Sequence, residues 1–252
     1  MTILKVEKLK KYFGGVKAVN EVSVEVEEGE ALGVIGPNGA GKTTFFNTIC
    51  GVYSPDGGKI IFQGKEIQGL TSFQIARLGI ARTFQIVKPF GDMTVLDNVI
   101  SSIGIDIYKS VWNSFRGSRV SKTIDKARQL LEMVELGKYE NDKAAALSLG
   151  YIKRLEIARA LGINPRIIML DEPCAGLSHD AIKDFIQLFK KLKVEGLTIM
   201  MVEHNMPTAM SLCDRMIVLD YGEKIAEGKP KEIQGNEKVI EAYLGKEEEE
   251  DA

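Results

Sequence analysis

Residues 36–43 read Gly-Pro-Asn-Gly-Ala-Gly-Lys-Thr, and they follow the run EALGVIG that ends at Gly36. That run is continuously apolar, as a strand buried on both faces requires. From Gly41 onward the apolar residues recur at helical spacing. A buried strand, a glycine-rich turn and a helix in that order belong to a parallel sheet with helices on its faces. In this setting the pattern G-x-x-x-x-G-K-[ST] predicts a phosphate cradle. Gly36, Gly39 and Gly41 let backbone N–H groups close around phosphate oxygens, and the helix N-terminus adds partial positive charge. Lys42 is expected to be exposed and to reach the β- and γ-phosphates, and the Thr43 hydroxyl to ligate Mg²⁺. The expected contacts to ATP span Gly36, Pro37, Asn38, Gly39, Ala40, Gly41, Lys42, Thr43 and Thr44.

A nucleotide–Mg²⁺ site also needs an acid to hold the metal's water shell. IIMLDEP (167–173) supplies four apolar residues, then Asp171 and Glu172, then a proline. Side chains alternate along a strand, so adjacent carboxylates need not share a task. Asp171 is expected to hold Mg²⁺ and Glu172 to polarise the attacking water.

The remaining pattern fills in an α/β architecture. Ile3, Val6 and Leu9, then Val22, Val24 and Val26, alternate as antiparallel strands do; GKIIFQG (58–64) is a further strand bounded by glycines. Helical patterns dominate from about Thr94 to Ile163. IIML (167–170) and TIMMVE (198–203) are buried-strand candidates flanking an amphipathic helix near 179–195, and RMIVLDYGEKIAEG (215–228) predicts a hairpin with its turn near Asp220–Glu223. With 44% hydrophobic residues the chain can bury one large or two small cores. Its net charge of −2, without a basic block, argues against a nucleic-acid partner. Cys50, Cys174 and Cys213 are an odd number without metal-ligand spacing, which suggests a reducing compartment. No signal-peptide stretch opens the chain, and no window approaches the roughly 18 apolar residues of a membrane span. The ending EEEED (247–251) is expected to be a disordered acidic tail.

One stretch resists a chemical reading on its own. LSLGYIKRLEIARAL (147–161) predicts a helix capped by Ser148, with charges on one side and Ile152, Leu155, Ala158 and Leu161 on the other. With the two motifs above, the sequence resembles the ATP-binding cassette family, the ATPase subunits of ABC transporters, over nearly the whole chain. LSLGY stands where that family has its signature loop, usually Leu-Ser-Gly-Gly-Gln. The resemblance implies that two cassettes pack head to tail, and that Ser148 and Gly150 contact the nucleotide held by the other subunit. Leu149 replaces the first signature glycine and Tyr151 the glutamine. In ARTFQ (81–85), Gln85 matches the glutamine that senses Mg²⁺ and the lytic water. In MMVEHN (200–205), His204 matches the switch histidine at the γ-phosphate. AGLS (175–178) has Ser178 where the family commonly has Asp, and Ser178 can instead cap the next helix. KKYFGG (10–15) matches the segment that carries the adenine-stacking aromatic, with Phe13, directly before Gly14, the better match and Tyr12 the runner-up.

The resemblance implies a P-loop NTPase core of the RecA-like class, with an antiparallel β subdomain and an inserted helical subdomain. Residues 1–85 and 164–252 would form the core, 86–163 the helical part and 246–252 the tail. It further implies a second cassette, identical or different, membrane-spanning permease subunits, indirectly a substrate-binding protein, and a peripheral place on the cytoplasmic side of the cell membrane. The short spacing from Lys42 to Ser148 excludes the long coiled-coil relatives. GIARTFQIVKPFGDMTVLDNV (79–99), RLEIARAL (154–161), DEPCAGLS (171–178) and VIEAYLG (239–245) are most similar to importer subunits for branched-chain amino acids. Urea and short-amide importers and the ATPase of lipopolysaccharide export look alike. An ATPase of iron–sulfur cluster assembly and a P-loop kinase are the readings from other classes. Ile86, Val87 and Phe90, beside Gln85, are expected to line a docking site for a permease helix or else to be buried.

Overall fold

The computed structural model describes residues 1–83, 89–103 and 117–250 of the chain. Two sheets organise it. β1 (Thr2–Phe13), β2 (Val16–Glu27), β4 (Gly57–Phe62) and β5 (Lys65–Glu66) form an antiparallel sheet in the order β2-β1-β4-β5. The second sheet has the order β10-β9-β3-β8-β7-β6. Its members are β3 (Ala31–Ile35), β6 (Ile80–Arg82), β7 (Ile167–Asp171), β8 (Thr198–Val202), β9 (Arg215–Asp220) and β10 (Glu223–Gly228). Five of these run parallel, and β10 returns antiparallel to β9.

The central strands are apolar throughout because both of their faces are covered. Leu32, Val34, Met169, Met200 and Val202 face a core shared with the antiparallel sheet and with Phe45, Phe46 and Ile49 of α1 (Lys42–Ile49). Ala31, Ile35, Ile168, Leu170, Ile199 and Met201 face the opposite core. There they meet α5 (Leu149–Gly162), α6 (His179–Val194) and α7 (Met206–Leu212). α6 presents Phe185, Leu188, Phe189 and Leu192 on one face, and its N-cap Ser178 accepts the Ala181 N–H. α3 (Val95–Ile103), α4 (Gly117–Met133) and α5 pack on one another and join the same core through Val95, Val99, Ala127, Leu131 and Leu155.

The β9–β10 hairpin closes through Tyr221 and Gly222, with φ of 43° and 79°. Positive φ at both central residues is what the tight right-twisted hairpin turn requires. All three cysteines are free and buried, and burial pushes the Cys50 thiol up to about 11. Among the elements that escaped the sequence pattern are β6, and α2 (Ser72–Leu78), whose Thr71 and Gln74 form a reciprocal capping box. The expected disordered acidic end is corrected in part, since α9 (Glu237–Glu250) carries a helix to Glu250. Glutamate is a good helix former once a helix has begun. α8 (Pro230–Gln234) precedes it. No described helix is long and apolar enough to cross a membrane.

The parallel register sets the functional geometry. Val34 and Asp171 both pair with Val202, and Arg82 pairs with Met169. The loops after β3, β6, β7 and β8 therefore leave from one edge of the sheet, where open α/β sheets place their ligands.

Candidate functional site

The loop after β3 is shaped by its glycines. Gly36 has φ 148°, and a Cβ there would lie 2.0 Å from the Leu219 carbonyl oxygen. Gly41 has φ 97°, and its Cβ would lie 2.0 Å from the Ala18 carbonyl oxygen. Only glycine fits either position. Gly41 is also the N-cap of α1, with no side-chain cap and no acid in the first turn, which leaves the helix start to accept an anion. It borders a cavity of about 530 Å³ lined by 15–18, 38–44, Glu172 and Tyr221. Thr43 is exposed at its edge and Thr44 half-buried. Lys42, expected to be exposed, is only 7% exposed. Its ammonium folds back and donates to the carbonyls of Gly36 at 2.7 Å and Pro37 at 2.8 Å, which meets part of its hydrogen-bonding demand within the loop.

Asp171 ends β7 with its carboxylate buried. Arg82 Nη2 donates to its Oδ2 at 2.9 Å, while Arg82 Nη1 donates to Asn47 at 2.6 Å. The other oxygen, Oδ1, is buried without a hydrogen-bond partner among the described residues. A buried lone acceptor is costly and fits a donor that arrives with a ligand, such as a water of a hydrated cation. Among the described residues no three His, Cys, Asp or Glu cluster as a cage, so a cation here would rely on one carboxylate, a hydroxyl and phosphate oxygens.

Glu172 leaves the strand line with φ 49°, a left-handed conformation that turns its side chain away from that of Asp171. Its carboxylate lines the cavity and lies 3.7 Å from His204 Nδ1. His204 follows β8 and is half-exposed, with Asn205 behind it capping α7 through the Thr208 N–H. The structure thus sets Glu172 in the cavity of the phosphate loop with His204 3.7 Å from it, and Asp171 at the same edge of the sheet.

Ser148 and Gly150 do not join this group within the chain. They border a separate cavity of about 370 Å³ with Gly176, Leu177 and Ser178. Ser148 is the N-cap of α5, but its hydroxyl makes no cap bond, contrary to the expected capping contact. The predicted split between a charged and an apolar side also fails. Lys153 and Arg154 are buried, because Lys153 reaches the Glu172 carbonyl and Arg154 reaches the Val134 carbonyl and Glu135. Phe13 is 44% exposed and stacks edge-on with Tyr53, while Tyr12 donates its hydroxyl to Asn20. Gln85, Ile86 and Val87 lie outside the described residues. Phe90 is exposed, with the Arg159 guanidinium over its ring. Sequence reasoning missed 15–18 and Tyr221 as cavity walls, and it missed Arg82. Only the position of Arg82 beside TFQ hinted at its role.

Comparison with known proteins bears on the family and the fold. The family model described as ABC transporter matches residues 19–175, and one described as branched-chain amino acid ATP-binding cassette transporter matches residues 223–249. The high-affinity branched-chain amino acid transport ATP-binding protein BraF of Pseudomonas aeruginosa is 42% identical, over 96% of this chain and 98% of its own. LivG of Escherichia coli, with the same description, is 40% identical over 96% and 98%. A solved ATP-binding cassette of an ABC transporter in its ADP conformation superposes with a TM-score of 0.86 at 34% identity, over 97% of this chain and 99% of that one. A dimeric cassette in a post-hydrolysis state bound to ADP and Pi superposes with a TM-score of 0.76 at 30% identity, over 90% and 99%.

Proposed function

This chain belongs to the ABC transporter ATPases, and from that premise we propose that it works with a second cassette and membrane-spanning permeases to import branched-chain amino acids. The substrate reading is supported by relatives so named that match almost end to end, together with the C-terminal match at 223–249. On this reading the chain sits peripherally on the cytoplasmic side of the cell membrane, and a substrate-binding protein delivers the cargo.

The mechanism follows from the residues gathered at the sheet edge. The N–H groups of 36–44 and the start of α1 hold the ATP phosphates. Lys42 exchanges its two carbonyl contacts for the β- and γ-phosphates. Thr43 and the Oδ1 of Asp171, which has no partner among the described residues, would hold Mg²⁺, which neutralises phosphate charge when bound. Glu172 polarises the attacking water, and His204, 3.7 Å from it, contacts the γ-phosphate side. Gln85 joins them as a sensor of metal and water. Phe13 stacks on the base. Residues 86–163 act as the helical arm, on a core of 1–85 and 164–252. The observation that carries the dimeric reading is that Ser148 and Gly150 open a cavity of their own. Their anion site therefore needs a nucleotide supplied by another chain.

The hydrolysis test is Glu172→Gln, which should bind ATP normally and lose at least about 100-fold in turnover, as expected when a general base is removed. Wild-type turnover would place the base elsewhere. Substrate is tested by uptake in proteoliposomes holding this chain with its permeases. Labelled leucine, isoleucine and valine should accumulate with ATP, and uptake of urea or short amides in their place sinks the amino-acid reading.

A further inference from the structure

The left-handed backbone of Glu172 needs an explanation, because a non-glycine residue at φ 49° is strained and persists only where its surroundings hold it. Its N–H donates to the Val202 carbonyl at 3.0 Å. Its carbonyl accepts the Ala175 N–H at 3.2 Å and the Lys153 ammonium at 3.0 Å. Two residues on, the Cys174 N–H donates to Glu203 Oε1 at 3.2 Å. The turn 172–174 is therefore gripped by the end of β8 on one side and by α5 on the other.

Lys153 is the unexpected member. It is 7% exposed, and its hydrogen bond among the described residues is to a main-chain carbonyl, not to a carboxylate. Burial lowers its ammonium from the ordinary lysine range, and the nearby carboxylates of Glu203, Glu156 and Glu172 offset only part of that. Burying an ammonium is costly, and an apolar side chain would fill the same space without that cost. The hydrogen bond of that ammonium goes to the Glu172 carbonyl oxygen. Lys153 also lies just over one turn along α5 from Ser148, the N-cap of that helix.

We propose that Lys153 is a positioning residue for hydrolysis: from the helix opened by Ser148 and Gly150, it holds the Glu172 carbonyl and so fixes the turn that aims the Glu172 carboxylate into the phosphate-loop cavity. A nucleotide that meets the start of α5 then bears on the same rigid helix that orients the water-polarising group. The proposal rests on the reading of Glu172 given above, and Glu172→Gln measured alone tests that reading separately.

The experiment measures ATP turnover and ATP affinity of the full chain for Lys153→Met, Lys153→Arg and Glu172→Gln, and for Lys153→Met combined with Glu172→Gln. Lys153→Met should lose about 100-fold in kcat, the scale of a misaimed catalytic group, with KM and ATP affinity within about threefold of wild type. Lys153→Arg, which keeps a charged donor, should recover most of it. In the Glu172→Gln background Lys153→Met should cost nothing further, because its effect runs through the Glu172 carboxylate. If Lys153→Met does not fold, Lys153→Gln replaces it and must lose at least about tenfold in kcat at unchanged ATP affinity. Turnover near wild type, parallel loss of ATP binding, or an equal fractional loss in the Glu172→Gln background overturns the proposal.

Discussion

Lys42 shows how one residue can keep its motif and change its surroundings. The sequence pattern places it at the phosphates, but the fold buries it against the Gly36 and Pro37 carbonyls. Lys42→Ala removes those two bonds along with the phosphate contact. We expect ATP binding in isothermal titration to fall below detection, and the melting temperature to drop by only a few degrees, since each such bond contributes about 1 kcal/mol net. Near-normal affinity would remove the phosphate-loop assignment. Glu203 is 1% exposed, and burial raises its carboxyl above the usual range. It accepts from the Cys174 N–H, is repelled by Glu172, and is attracted by His204 and Lys153. A raised folded-state value means that the folded chain holds this proton more tightly than the unfolded chain. The stability it lends is complete below about pH 4.3 and is lost as pH rises through the folded value. Glu203→Gln keeps the acceptor and removes the charge. By calorimetry it should melt about 2–4 °C higher than wild type at pH 8, the effect of about 1 kcal/mol, with the gap closing toward pH 4. A gap that widens in acid would mean that Glu203 is stabilised as an anion. Neither burial was legible in the sequence, because a lysine or glutamate beside an apolar run reads as surface until the main-chain atoms that receive it are known.

The central strands were legible because a sheet covered on both faces leaves an apolar run that no helix period explains. β6 was not, since three residues carry too little pattern; its parallel pairing with β7 holds it in the sheet. Arg82 leaves β6 to pair with Asp171 at the end of β7, both nearly buried. Arg82→Ala strands the Asp171 carboxylate, so denaturant unfolding should register a loss of about 3–5 kcal/mol. Thr71→Ala, which breaks only the exposed capping box of α2, should lose about 1 kcal/mol. Equal losses would show that the Arg82 pair is solvated. α5 misled in the opposite sense: its apolar spacing was right, but Lys153 and Arg154 are buried because carbonyls from neighbouring turns receive them.

At the scale of the whole molecule, the phosphate loop and the start of α5 open into different cavities. The family resemblance supplied the idea that another chain joins them; no pattern within one sequence could. On that arrangement ATP favours the pair only through contacts made in the pair. Glu172→Gln should shift from monomer to dimer on adding ATP, by size exclusion with light scattering, with a second cassette present if the native pair is mixed. Adding Ser148→Arg should keep it monomeric with ATP affinity changed by less than about threefold. Loss of ATP binding as severe as in Lys42→Ala would instead place Ser148 in its own chain's site. The strand order has one further consequence. β3 lies between β8 and β9, and Gly36 closes against the Leu219 carbonyl. A ribosome releases the entire phosphate-loop motif early, ending at Thr43, but β8 and β9 begin only at Thr198 and Arg215. A nascent or prematurely stopped chain therefore displays the motif without the site. Competence for nucleotide arrives only with the last strands, so half-made subunits cannot draw on the cell's ATP.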